Sequence, residues 1–182
     1  MASSNGYQVT VVDFIKPKNL NKDIRFIKQS LENIDTQSEK KYDIVTAFAI
    51  LEHTRYPLIA LKKMIELCKL DGIIIIYIPE IGHFSDINAL GTSGWYNPPE
   101  HLNLLSKKCL NSIMSKNNCK LINYKRFELN TTRYLIRYGI GLVEGIIGLI
   151  VKTISNKFWL KIRQKRISKH NGMAMFVFLK NN

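Results

Sequence analysis

The sequence predicts an α/β fold with parallel strands at its centre, and three observations carry that prediction. Tyr42-Asp43-Ile44-Val45-Thr46-Ala47-Phe48 is a short apolar run led by an aromatic residue and an acid. Pro57 follows where a helix can begin, because the N–H it lacks would be unpaired there anyway. Leu58, Leu61, Met64, Ile65 and Cys68 then fall on one helical face. Asp71-Gly72 reads as the break after that helix. Ile73-Ile74-Ile75-Ile76-Tyr77-Ile78 is apolar on both faces, as suits a parallel strand covered by helices on both sides. Residues 42–80 thus read as one β-α-β unit with a right-handed crossover.

The rest of the chain supplies further elements in order. Gly6 to Asp13 is rich in β-branched residues and ends in an acid, so it reads as a strand. Ile24 to Ile27 is a short strand, followed by Lys28-Gln29-Ser30-Leu31. Pro79 to Pro99 is loop-like, with His83, Phe84, Trp95 and Tyr96 as apolar and aromatic walls. A loop of that length after a central strand suits a segment that covers a substrate. Ser106 can cap a helix carrying Leu110, Ile113 and Met114, which Asn117-Asn118 ends. Lys120 to Leu129 and Gly172 to Leu179 are the last two strands.

A chain of 182 residues with 46% apolar content suits one globular domain spanning residues 1–182 rather than a disordered chain. The net charge of +13 is unevenly placed. Residues 1–100 hold 11 Lys/Arg and 12 Asp/Glu, whereas residues 101–182 hold 16 Lys/Arg and only Glu128 and Glu144 as acids. A basic half suits an anionic partner such as a membrane surface, a nucleic acid or an anionic substrate. A composition rich in Lys, Asn and Ile gives the same imbalance without any partner. Cys68, Cys109 and Cys119 lack metal-like spacing and read as free, buried thiols of a reducing compartment. No secretory signal opens the sequence, which points to the cytoplasm.

Residues 134–170 read as an apolar and basic helical insertion before the last strand. Tyr138 to Val151 is apolar but, at 14 residues, too short to span a bilayer, which takes about 20. Gly141 and Gly145 permit close helix packing. Lys152 to His170 is basic, holds no acid and interleaves Phe158, Trp159, Leu160 and Ile162. That combination suits peripheral membrane contact through 138–170. A solvated basic face is the simpler alternative, and nucleic acid fits less well because no stacking motif is present.

The order of YDIV, then Glu52-His53, a helix, Leu70-Asp71-Gly72 and a strand ending in Pro79 resembles the class I S-adenosylmethionine-dependent methyltransferases. It is closest to the small-molecule type with Glu-His after the fourth strand. The resemblance implies a Rossmann-like sheet, helices on both faces and an antiparallel C-terminal strand. It implies S-adenosyl-L-methionine as cofactor and methyl transfer to a small-molecule or lipid-linked acceptor. Asp13 matches the acid whose carboxylate accepts from the two ribose hydroxyls, with Phe14 beside it. Ser30 and Leu31 stand at the adenine position, where the family usually has an acid. Ala47, Phe48 and Ala49 would face the methionine portion. His53 or His101 would take a proton from the acceptor, since an imidazole titrates near neutrality as a residue type. Glu52-His53 would equally serve to shape its loop and cap the next helix, and His101 to orient its own loop. Some relatives bind a divalent metal through Glu-x-x-Glu-His. Ala49 replaces the first Glu, so no metal is expected.

The family pattern also places a strand and a Gly-x-Gly-x-Gly loop before the strand that ends in Asp13. The six residues before Tyr7 leave no room for them, so the sequence reads as an N-terminally truncated domain with an incomplete sheet. Adjacent strands lie about 4.8 Å apart, so a missing central strand leaves about twice that between 7–13 and 42–48. Those strands close up, another segment or a partner chain fills the gap, or the polypeptide begins upstream. The alternative function is a non-catalytic methyltransferase-like remnant or subunit whose basic C-terminal half binds a membrane surface or partner. A nicotinamide-binding domain would use Asp13 equally well, but the terminal antiparallel strand and Glu52-His53 argue against it.

Overall fold

A computed structural model describes residues 5–81, 99–127 and 173–181. Residues 82–98 and 128–172 lie outside the described residues, and with them all of the insertion expected at 134–170 and most of the loop expected at 79–99, of which Pro79 to Ile81 instead continue a strand.

The β-α-β unit is present. Strand β3 (Tyr42–Phe48) leads to helix α1 (Pro57–Leu67) and strand β4 (Cys68–Ile81), and β3 and β4 are parallel. Pro57 occupies the first turn of α1. Two details differ from the sequence reading. Leu58 is 61% exposed, and the buried face of α1 is instead Ala60, Leu61, Met64, Ile65 and Leu67. Of the five residues read as one face, Leu61, Met64, Ile65 and Cys68 are buried and only Leu58 is not. Asp71-Gly72 does not end the helix, which stops at Leu67. It lies inside β4, where Asp71 has φ +58° and the β3–β4 register slips between Tyr42 and Ile44. An irregular step there re-aims the strand without ending it.

Strand β4 is central. It pairs with β3 on one side and with the antiparallel β7 (Met173–Lys180) on the other, and β7 pairs antiparallel with β6 (Cys119–Phe127). The short strand β5 (Leu105–Ser106) joins the end of β4 in parallel at Glu80 and Ile81. The expected antiparallel last strand is therefore found. Ser106 accepts from the N–H of Cys109 at 3.2 Å and caps helix α2 (Lys107–Ser115). Among the described residues, one face of this sheet carries the core. Ile74, Ile76 and Ile78 of β4 and Ala174, Phe176 and Phe178 of β7 meet Leu61 and Met64 of α1 and Leu110 and Met114 of α2.

Strand β1 (Thr10–Asp13) pairs in parallel with β2 (Arg25–Lys28) as a separate two-stranded sheet. No backbone ladder joins β1 or β2 to β3 among the described residues. Side chains bridge the space instead. Tyr42 donates to Thr10 Oγ1 at 3.1 Å, and Lys40 donates to Gln8 Oε1 at 3.0 Å. The two bonds step forward together, 8 to 10 and 40 to 42, so β1 and β3 run the same way and start side by side. Arg25 grips Glu39 with both guanidinium arms, at 2.5 and 2.7 Å, and so ties β2 to the approach of β3. Among the described residues the β1–β2 pair and the sheet that contains β3 are thus linked by side chains and not by a ladder.

Candidate active site

Parallel strands in an open sheet place their following loops at one edge, and that edge is where α/β proteins bind ligands. Here it collects the ends of β1, β2, β3 and β4.

At the end of β1, Asp13 is exposed and its Oδ1 accepts from the N–H of Ile15 at 3.0 Å. The bond folds the chain back just after the strand and fixes the carboxylate at the edge. Phe14 is 66% exposed beside it. At the end of β2, Ser30 precedes the 3-10 turn Leu31–Asn33. Its carbonyl accepts from Asn33 N–H, while its hydroxyl makes no capping bond. Leu31 is half-buried and touches the main core.

At the end of β3, Ala47 is buried, Phe48 is exposed and Ala49 takes φ +52°. A residue with a Cβ rarely adopts that conformation, and such strain is often found at functional sites. Ala49 N–H still reaches Tyr77 O at 2.8 Å, so the turn begins while the chain is held to β4. Phe48 and Tyr77 have ring centroids 6.1 Å apart, and Tyr77 meets Phe127 edge-on at 5.8 Å. These rings form an aromatic row across the sheet face opposite the core.

The turn after Ala49 carries Leu51 and Glu52, both buried, and then the exposed His53. Residues 100–103 lie directly against it. The Glu52 carbonyl accepts from the N–H groups of Leu102 and Asn103, at 2.7 and 3.1 Å. The Asn103 side-chain amide donates to the carbonyls of Leu51 (3.2 Å) and Thr54 (2.5 Å). His53 Nδ1 is 2.7 Å from the carbonyl oxygen of Glu100. A carbonyl only accepts, so Nδ1 carries a proton, and in the neutral ring Nε2 is the nitrogen with the lone pair. The His53 and His101 rings are 4.8 Å apart between centroids, tilted by 57°. The structure therefore brings together the two histidines read from the sequence as acid–base candidates.

Glu52 completes the group. Burial holds its carboxyl above the usual carboxylate range, against the pull of the charges of its own backbone N–H, His53 and His101. Its Oε2 has no hydrogen-bond partner among the described residues. One donor atom from each of Glu52, His53 and His101 lies within 4.8 Å of the others. Sequence reasoning named Glu52 beside His53 but missed its unpartnered oxygen, and it missed Asn103 and the Glu100 carbonyl altogether. The polar run Glu100-His101-Leu102-Asn103 after Pro98-Pro99 is the one signal that marks them. On the other side, Glu80 at the end of β4 is buried and accepts from Tyr124 (2.5 Å), Arg126 (3.4 Å) and the N–H of Lys107 (3.2 Å). That network fixes the start of α2. No helix among the described residues is long and apolar enough to cross a membrane.

Comparison with known proteins identifies the fold and the family. No curated protein sequence matches the chain. Among solved structures, the 1,6-didemethyltoxoflavin-N1-methyltransferase of Burkholderia thailandensis, with bound 1,6-didemethyltoxoflavin and S-adenosylhomocysteine, is similar with a TM-score of 0.59 and 14% identity. The alignment covers 99% of this chain and 64% of that one, so this chain spans under two thirds of the enzyme's length. The N-methyltransferase NodS of Bradyrhizobium japonicum, in complex with S-adenosyl-L-homocysteine, gives 0.54 and 7% identity over 96% of this chain and 67% of its own. The [4+2]-cyclase SpnF gives 0.54 and 14% identity over 90% and 58%. At such identities the likeness is one of fold, and SpnF illustrates that the fold hosts more than one chemistry. A family model described as a methyltransferase domain matches residues 1–124, more than half of the sequence. The chain belongs to the methyltransferase-domain family, of the class I S-adenosylmethionine-dependent kind.

Proposed function

We propose that the chain takes part in S-adenosylmethionine-dependent methylation of a small-molecule or lipid-linked acceptor. One observation carries the reading: Asp13, Phe48-Ala49 and the Glu52–His53–His101 group lie at the ends of parallel strands that start side by side. A cofactor across that edge would meet an acid at one end and two imidazoles at the other. The solved neighbours bound to S-adenosylhomocysteine support that choice of cofactor.

Each residue then has a part. Asp13, exposed at the end of β1, accepts from the ribose hydroxyls. The Ser30 hydroxyl and Leu31 offer a weak acceptor and an apolar contact for the adenine. Ala49 turns the chain away from β3, so that the exposed Phe48 can line the methionine side, whereas Ala47 packs into the core. His53, with Nδ1 held by the Glu100 carbonyl, presents Nε2 to an acceptor proton. Glu52 stabilises the imidazolium that results. When bound, the cofactor supplies an electrophilic methyl group, and the protein mainly positions the two reactants.

The break between the β1–β2 pair and β3 favours a second reading. The chain then works as a subunit whose sheet is completed by an extended segment of a partner. The excess of Lys and Arg in residues 101–182 supports contact of that half with an anionic membrane surface.

Calorimetric titration with S-adenosylmethionine separates the two. One-site binding that weakens in Asp13→Ala is the result expected of the first. No heat up to about millimolar cofactor, roughly 4 kcal/mol of binding, removes it and leaves the second. Sedimentation with anionic vesicles at low salt tests the membrane contact, and no binding there removes it.

A further inference from the structure

Among the described residues thirteen large apolar side chains are exposed. Only Tyr7, Ile44, Leu70 and Ile122 stand away from the edge that carries Asp13 and His53. Of the others, Phe14 and Phe48 belong to the cofactor reading and Phe127 to the aromatic row. The remaining six have no part in either. Ile15 follows β1, Ile50 follows β3, Tyr56, Leu58 and Ile59 stand at the start of α1, and the N–H of Leu102 donates to Glu52 O. Ile15 is 77% exposed and Leu58 is 61% exposed. Single exposed apolar side chains are ordinary on a protein surface, but a set gathered at one edge marks a contact.

Cations share that edge. Lys16, Lys28, Arg55, Lys107, Lys108 and Lys125 are exposed there, against Asp13 and Glu100 as exposed acids and a half-buried Glu32. The Arg55 guanidinium lies 5.4 Å from the centroid of the Tyr56 ring. Long cationic side chains lay their apolar stems along a surface and carry the charge outward, so they stand among apolar tips at little cost.

We propose that this edge docks on an anionic membrane surface, and that the acceptor is a lipid whose reacting hydroxyl or amine lies at headgroup level. The apolar tips enter the boundary between headgroups and acyl chains, while the cations beside them meet lipid phosphates. His53 stands between Ile50 and Tyr56 in the chain, so docking brings its Nε2 to the level of the headgroups. The inference rests on the reading of this edge as the acceptor side and narrows the acceptor to a membrane lipid. The surface is distinct from the basic stretch Lys152 to His170.

The test uses the full chain and vesicles of phosphatidylcholine, alone or mixed with phosphatidylglycerol. Ile15→Cys, Leu58→Cys, Leu102→Cys and, at the opposite edge, Leu70→Cys are each combined with Cys109→Ser and labelled with an environment-sensitive fluorophore. Cys68 and Cys119 are buried and stay unlabelled in the native chain. The expected result is a blue-shifted, brighter label at positions 15, 58 and 102 with the anionic vesicles, and no change at position 70. Leu58→Glu should weaken partitioning onto those vesicles about fivefold or more, and Leu70→Glu should leave it unchanged. No response at the three edge positions overturns the proposal even where the chain sediments with vesicles, because the contact then lies elsewhere. An equal response at position 70, or with phosphatidylcholine alone, overturns it too. So does a concentration-dependent dimer that Leu58→Glu dissolves, which gives the edge to a second copy. Cofactor is left out of these measurements. Docking without cofactor binding removes only the methyl-transfer reading, and cofactor binding without docking removes only the membrane lipid as acceptor.

Discussion

The hydroxyl of Tyr42 donates to Thr10 Oγ1 at 3.1 Å and thereby joins two sheets that share no backbone ladder among the described residues. Tyr42 opens β3 and Thr10 opens β1, so this one bond aligns the edge that carries Asp13 with the edge that carries Phe48. Tyr42→Phe keeps the ring and removes the donor. The expected cost is about 1 kcal/mol of global stability, read from urea unfolding. Amide exchange in β1 and β2 should speed up more than in β4 and β7. Equal slowing or speeding of all four strands would show that the bond does not control how the β1–β2 pair docks.

Gly72 shows how tightly the start of β4 is built. A Cβ at this position would lie 2.7 Å from Cys68 Sγ, 2.9 Å from Lys69 O and 3.0 Å from Asp43 O. The two oxygens are backbone atoms and cannot swing away. Gly72→Ala should therefore destabilise by about 1–3 kcal/mol. Adding Cys68→Ala relieves only the sulfur contact, so the double variant should not recover wild-type stability. Recovery in an unfolding measurement would mean that the sulfur contact alone sets the cost.

The same residues explain what the sequence made legible. The β-α-β unit from Tyr42 to Glu80 was readable because period and apolar continuity are local properties. Asp71-Gly72 was misplaced because the pair is a turn signal in either setting. Only the slip in register against β3, between Tyr42 and Ile44, shows that it serves a bulge. The site was less visible. His53 and His101 were each singled out, but nothing local says that they meet. Their meeting depends on Asn103 and on the pairing of β5 with the end of β4, both long-range contacts. The unpartnered Glu52 oxygen is a packing fact and leaves no trace in residue order.

Glu80 should matter to stability more than to chemistry. Its carboxylate is 7% exposed and ties Tyr124, Arg126 and the N–H of Lys107 together. Glu80→Ala takes the anion from beside Arg126, whose side chain is 12% exposed. Removing one partner of a buried ion pair costs about 3 kcal/mol. Tyr124→Phe removes one neutral donor and should cost about 1 kcal/mol. Denaturant midpoints check the order. A Glu80→Ala variant no less stable than Tyr124→Phe would show that the ion pair adds nothing.

The three thiols should differ in reactivity and in their link to pH. Cys109 is exposed, whereas Cys68 and Cys119 are buried. A disulfide-exchange reagent should therefore modify one thiol quickly in the native chain and three after unfolding. Burial pushes the Cys68 thiol up to about 11, and it raises Cys119 too. An unfolded thiol ionises near pH 8.5. Below that pH both states keep the proton, and the stabilising effect of the neutral buried thiol is fully present. Above it the unfolded chain releases protons that the folded chain retains, so stability falls as pH rises from about 8.5 toward 11. Unfolding at pH 9.5 should release protons to the buffer, measurable by calorimetry in buffers of different ionisation enthalpy. Cys68→Ala should reduce that release. An unchanged proton count in the variant would mean that Cys68 ionises as readily in the fold as out of it.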